Sequence, residues 1–444
     1  MNLSSLIYRI YMVNTKMKKI GIVFIVFISF TACSNKQPIV SAVFVDSLLL
    51  HYNNTTAINR VEAELSFWKN RIQVPGPDFV NQLKYANQLI SRFHLTGNVN
   101  DIKLSDSLLF KLATTYNNKE SAPYMALVRN AILQHQFKQA DSMLQIASLI
   151  GVKPYELNAT TFDIQFELGN ITIATESLQK IAKDNDYGYQ FRKSKLKHYH
   201  GEIDSSINAM LAAANLSGNN EGLKNIALSN MADLSLHAGL VDHAYNTYLA
   251  CIKTDVADLH SLMGIGKIAL LNDQQDSLAE KIFQFVASKT NSPDPLYQLI
   301  SVAEQRPNKQ LQFEYATNFE KKAGAPIYGN MYNKYLIYLY TGILNNPKKA
   351  KAIAQKELTN RSTPQTNAWY AFTLFANDQN EEAMSVYKNH IAGKPLEALE
   401  QYYMGKLMLA NKQQYNAQQF FKEAAKNEFD LSPAINNELK QLIK

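Results

Sequence analysis

The densest grouping of metal-type side chains in this sequence is Lys197-His198-Tyr199-His200-Gly201-Glu202, which offers two imidazoles and a carboxylate within five residues. Zinc or another borderline metal would accept such a set. On a helix, however, residues two apart point about 200° from one another, so His198 and His200 could share an ion only if the helix ended between them. A solvated helix end turning at Gly201 is the simpler reading, and no metal site is expected there. Asp233 and His237 stand four apart, where they could pair on one helical face as a local hydrogen bond rather than an acid–base couple, with His243 across the following turn. Serines are numerous, but no G-x-S-x-G, phosphate-binding glycine loop, H-E-x-x-H or C-x-x-C occurs. The expectation is a chain that is not an enzyme, with no catalytic residues, no cofactor and no metal.

What must position any site is a periodic scaffold. Asp106, Ala140, Ala174, Ser206, Ala244, Ala279, Ala316, Ala350, Ala383 and Ala417 recur at gaps of 34, 34, 32, 38, 35, 37, 34, 33 and 34 residues. Four residues after each stands a mostly large side chain, among them Phe110, Leu144, Tyr248, Phe283 and Phe421. Seven after stands a mostly small one, among them Ala113, Ala147, Ala213, Cys251 and Ala424. Offsets of 0, 4 and 7 share one helical face, so each unit carries a stripe of small, large and small residues. Glu320, Ala354 and Glu357 depart from it, and His390 stands at the offset of seven in its unit. An apolar stretch about twelve residues earlier supplies a first helix to each unit. Turn-forming clusters such as "NNKESAP", "SGNNEG", "TNSPDP" and "AGAP" separate the units.

These residues resemble the tetratricopeptide repeat family. In 364–397, Ala371, Leu374, Ala383, Tyr387 and Pro395 fall on its small, apolar, alanine, aromatic and proline positions; in 398–431, Gly405, Ala417, Phe421 and Ala424 do the same, with Phe429 where the proline belongs. The resemblance implies an all-α, right-handed α-solenoid of about ten helix-turn-helix repeats over 78–431. Helices at 43–77 and 432–444 would cap its ends, with Trp68 and Phe67 before Pro75-Gly76-Pro77 at one end and Pro433, Ala434, Leu439 and Leu442 at the other.

The N-terminal stretch reads as an address. Lys18 and Lys19 precede an uncharged run from Ile20 to Ala32, 13 residues long. That is short of the roughly 20 needed to span a bilayer, and it has the layout of a secretory signal peptide. Phe30-Thr31-Ala32-Cys33 resembles the lipobox of bacterial lipoproteins, with Phe30 in place of the usual leucine. The resemblance implies a true start at Met17, removal of 1–32, acylation of Cys33 with fatty acids such as palmitate, and a tether over 33–42. Removal of Arg9, Lys16, Lys18 and Lys19 with no acids lowers the formal net charge from +7 to +3. The basic balance then belongs mainly to the leader, and no nucleic-acid partner is expected. The address would be a bacterial cell envelope, lipid-anchored to the outer membrane and facing the periplasm. Cys251 would be a packed core thiol.

The resemblance also places an inner, concave wall about 18, 15, 11 and 8 residues before each ladder alanine. Near the C-terminus this selects Tyr332, Tyr335, Phe372, Phe375, Tyr402 and Lys406 as partner-binding residues; earlier units give Arg129, Glu156, Asp163, Lys195, Asp233 and Lys267. Aromatic side chains suit a binding surface, and the densest basic run, Arg192 to His198, is either a solvated face or a seat for an acidic peptide. The expected function is a non-catalytic scaffold that binds a protein or peptide of the envelope. The alternative is a glycan-capturing lipoprotein of the SusD-like kind, whose long inter-helix excursions have no counterpart here.

Overall fold

The computed structural model describes residues 37–72 and 78–443. The leader, Cys33, the first residues of the tether (33–36) and the Pro75-Gly76-Pro77 stop lie outside them. Every regular element among the described residues is helical, and none is long and apolar enough to cross a membrane.

Two helices, α1 (Ala42–His51) and α2 (Thr55–Arg71), come first. Five consecutive pairs follow: α3 (Phe79–Thr96) with α4 (Asn100–Thr115), α5 (Ser121–Leu133) with α6 (Phe137–Ile150), α7 (Pro154–Glu167) with α8 (Ile171–Lys180), α9 (Tyr187–Tyr199) with α10 (Ile203–Asn215), and α11 (Glu221–His237) with α12 (Val241–Thr254). Five more complete the array: α13 (Leu259–Leu271) with α14 (Asp276–Lys289), α15 (Asp294–Gln305) with α16 (Lys309–Ala323), α17 (Asn333–Thr341) with α18 (Pro347–Asn360), α19 (Pro364–Phe375) with α20 (Asn380–Val386), and α21 (Ala398–Ala410) with α22 (Gln414–Ala424). A last helix, α23 (Pro433–Leu442), closes the chain.

Local chemistry sets these boundaries. Asp78, Asp186, Asn220, Asp258, Asn308, Asn346, Thr363 and Ser432 each accept a hydrogen bond from the third amide of the helix they open, which satisfies a donor that the helix cannot. The turns inside the pairs share a left-handed residue, as at His135, Gly169, Gly201, Gly239, Asp378 and Lys412. An amide one residue later then reaches back five positions, as in Gln136 to Ala131, Asn170 to Gln165 and Gln413 to Met408. That is a helix stop of the Schellman type.

The ladder positions from Ala140 to Ala417 are fully buried, because second helices must approach their neighbours closely there. The large residue four on fills the space between helices. Tyr248 rests against Gly264, Phe283 against Gly266 and Phe421 against Gly405, and a β-carbon on any of these glycines would collide with the ring.

The structure corrects the ladder at three places. In the first unit Ser105 is the buried rung, followed by Leu109, while Asp106 lies beside it accepting hydrogen bonds from Asn130 (2.8 Å) and Gln134 (2.8 Å). Phe110 is exposed. In the ninth unit a π-turn, Tyr387–Ile391, inserts one residue of register, so Ile391 enters the core and His390 stays outside. Glu320 and Glu357 do not interrupt packing. Glu320 accepts from Tyr340 (2.5 Å) and Lys349 (2.7 Å), and Glu357 from Asn333 (2.6 Å) and Arg361 (2.8 Å).

The array also closes on itself. Asn291 donates its amide to the carbonyl of Thr96 (2.7 Å), and Gly97, left-handed and without a side chain, lets the two loops approach. Arg361 reaches Glu167 (3.0 Å) across 194 residues, and His237 reaches Asp430 (2.6 Å) across 193. A recurring separation of this size means that one superhelical turn, between five and six pairs, packs on the next. The ends take part. Helix α2 lies on α3, but α1 crosses to α14, with the Val40 amide on Asp273 (2.7 Å), Lys281 on Asp46 (2.6 Å) and Tyr52 edge-on to Phe285. Helix α23 turns back over α15, where Ser432 meets the Tyr338 hydroxyl (2.9 Å) and the Ala434 amide meets Glu304 (3.3 Å).

Candidate functional site

Closure leaves an interior lumen. Three adjoining cavities of about 330, 240 and 750 Å3 all have Tyr335 of α17 in their walls. Around that ring stand Lys267 of α13, Gln298 of α15, Lys334 of α17 and Glu397 at the start of α21. Tyr335 is held by the Tyr297 ring, centroids 4.4 Å apart.

The first cavity has a charged floor. Buried Glu400 accepts from the Trp369 indole (2.5 Å) and faces Lys334 at 3.7 Å, while its second oxygen has no hydrogen-bond partner. Burial pulls the Lys334 ammonium down, but Glu400, Glu397 and Asp430 outweigh it and hold its pKa above the ordinary lysine value. Arg361 spans Glu357 and Glu167 and lies 4.8 Å over the Phe137 ring. Burial, with the Arg361 charge, pushes the His135 imidazole below the ordinary histidine value.

The largest cavity brings together Asp233, His237, His260, Lys267 and Asp430. Asp233 and His237, adjacent on α11, do not pair with each other. Asp233 accepts from the Tyr248 hydroxyl (2.5 Å) and contacts His260 (2.9 Å), whereas His237 contacts Asp430 through Nδ1. His237 is taken by Asp430 from the facing turn, while Asp233 is taken by Tyr248 and His260 from the two helices that follow α11. His243 instead meets Ser235 at 2.9 Å.

The other expected site residues divide clearly. Tyr335 faces the lumen. Tyr332 is buried with its hydroxyl on Asp294 (3.2 Å). Phe372 stacks on Tyr403 at 3.9 Å and 7°, with Phe375 tilted beside it. Tyr402 and Lys406 both end on Glu438 of α23, at 2.6 and 2.5 Å, so the chain's own last helix occupies that part of the inner wall. The basic run is internally neutralised: Arg192 pairs with Asp163, Lys193 with Asp184, Lys195 with Glu167 and Lys197 with Glu202. The wall residues Arg129 and Glu156 pair with each other at 3.7 Å. Cys251 is fully buried and burial pushes its thiol up to about 11, as suits a packing residue.

Ten successive antiparallel pairs, a buried small rung in the second helix and a left-handed turn within the pair decide the architecture. The chain is a solenoid of tetratricopeptide-like helix pairs. No known family profile matches its sequence, and no curated protein does. Among solved structures it is similar to a tetratricopeptide repeat protein from Parabacteroides merdae, at 16% identity over 58% of this chain and 98% of that one, TM-score 0.34. It is also similar to PilF of Pseudomonas aeruginosa, at 13% identity over 48% of this chain and 96% of that one, TM-score 0.34. Yeast Tom70 is similar at 12% identity over 90% and 94%, TM-score 0.32. Likenesses this distant carry no argument about what the solenoid holds.

Proposed function

We propose that the solenoid is a non-catalytic scaffold, tethered to a bacterial envelope membrane through a lipid on Cys33, that holds a segment of a protein or peptide partner in its lumen. One observation carries the reading. The lumen walls are rigid and packed, yet they keep polar groups uncommitted: the second oxygen of Glu400 is buried without a partner, and Glu397 and Lys267 make no side-chain hydrogen bond or ion pair among the described residues. A buried carboxylate oxygen left unmatched costs free energy that an incoming donor recovers. Preformed walls also lose little ordering entropy when a ligand enters. The leader and the lipobox-like sequence support the envelope address, on the periplasmic face of the outer membrane.

The reading is tested by placing a photo-crosslinking side chain at Gln298, which borders two of the cavities, and another at Tyr415, which stands exposed on α22. Irradiation of the native envelope followed by mass spectrometry should give one recurrent protein adduct from position 298 that is missing from position 415. Identical adducts from both positions, or none from 298, would rule out the lumen as the binding surface.

A further inference from the structure

The geometry points to a divalent transition-metal site, of a kind suited to zinc, formed by His198, His237 and Glu397 where one superhelical turn meets the next. His198 comes from α9, His237 from the end of α11, and Glu397 from the connection into α21. One ligand atom from each lies within 4.8 Å of the others. The two imidazoles face each other through Nε2, 3.4 Å apart. Tetrahedral zinc with Zn–N bonds of about 2.0–2.1 Å requires two nitrogen ligands about 3.3–3.4 Å apart. The spacing of the rings is therefore already that of a bound pair.

Two further features belong to a ligand set rather than a chance meeting of polar groups. Asp430 contacts His237 Nδ1 at 2.6 Å. With Nδ1–H donating to this carboxylate, the tautomer leaves the Nε2 lone pair directed at His198, which is the arrangement that orients metal-binding histidines. Glu397 makes no side-chain hydrogen bond or ion pair among the described residues, so its carboxylate is free to rotate the short distance inward. Asn427 touches His237 Nε2 at 3.2 Å and must yield when a metal enters. Its second bond, to the His237 carbonyl at 3.0 Å, can remain. His198 and Glu397 border the first cavity, which leaves the fourth coordination position for water or a ligand atom from the lumen.

Two imidazoles with one carboxylate favour zinc, cobalt or nickel over magnesium and calcium, which prefer oxygen donors. The ligands at 198 and 237 lie on neighbouring pairs, while 397 belongs to the tenth. A bound ion would therefore clip the seam between turns.

The test uses the untagged full chain, stripped of metal with a chelator and titrated with Zn2+ in competition with a chromophoric indicator. One equivalent should bind. Co2+ in its place should give the visible absorption of a tetrahedral site. His198→Ala, His237→Ala and Glu397→Gln should each weaken binding by about tenfold or more, and Asp430→Asn by about 10- to 100-fold, as outer-shell changes do. His200→Ala and His260→Ala should bind like the parent. Zn2+ should also raise the melting temperature of the parent but not of His198→Ala. Failure of the parent to bind one equivalent would overturn the site, as would parental affinity in either histidine variant or in Glu397→Gln. Should His237→Ala lose its helical circular dichroism, His198→Ala and Glu397→Gln decide alone, since neither side chain supports a long-range hydrogen bond other than the His198–His237 contact itself.

Discussion

At the scale of single residues, the lumen is a place where charge is matched across distance. Asp233 and His260 show how this sets titration. Burial alone would lower the His260 imidazole, but its contact with Asp233, helped by Asp258 and opposed by Lys267, raises the pKa above the ordinary histidine value. Burial alone would raise Asp233, but His260, the Tyr248 hydroxyl and Lys267 hold it below the ordinary carboxylate value. The imidazole's stabilising contribution is complete below about pH 6.5 and is lost as pH rises through its raised folded value. The carboxylate's contribution is present above about pH 3.9 and is lost as pH falls through its depressed one. Proton NMR titration should give His260 a midpoint above 6.5 in the parent and a lower one in Asp233→Asn, where Asp258 alone still opposes burial. A midpoint that does not move between the two would mean the pair is not formed in solution.

At the scale of elements, a large buried side chain on the second helix fills the space between helices, a ring at Tyr248, Phe283 and Phe421 and a flexible or aliphatic side chain at Leu144, Leu178 and Met210. Phe283 is fully buried against Gly266 and Ile282 stands beside that contact. Phe283→Ala should cost about 3–5 kcal/mol in chemical denaturation, because the flanking helices cannot collapse into the space left. A cost under about 1 kcal/mol would show that the α13–α14 pair is loosely packed. This level of structure was readable in the sequence, since a rung and its partner at offsets of 4 and 7 sit on one helix and repeat every 34 residues or so. Reading failed where local chemistry mimicked a rung. Asp106 stands next to the true rung Ser105 and differs only in facing Asn130 and Gln134. The π-turn at Tyr387–Ile391 was equally hidden, because a one-residue change of register leaves no mark on composition.

At the scale of the whole solenoid, contacts between successive turns were beyond reach of the repeat pattern. Tyr335 could be placed on the inner wall by counting back from Ala350. That Asp430 would face His237, or that α23 would fill the wall at Tyr402 and Lys406, depends on how tightly the superhelix winds, and no single repeat encodes that. Arg361 is the clearest probe of the winding, since it joins Glu357 on its own helix to Glu167 on the facing turn. Arg361→Ala should destabilise the fold by about 3 kcal/mol, because it leaves a buried carboxylate short of its cation. It should also increase the radius of gyration in small-angle X-ray scattering. An unchanged radius together with unchanged stability would show that the seam between turns does not hold the superhelix closed.

The strands of contact at 193 to 195 residues carry a kinetic meaning as well. An open array of repeats melts from its ends, unit by unit, because each unit answers only to its neighbours. Here the loop after α3 is tied to the one before α15, and α1 is tied to α14, so early units cannot become native until units synthesised far later have arrived. Closing such distant contacts slows folding and binds the units to a common fate. Emerging from the ribosome, the first half of this chain would wait, half-made, for the second.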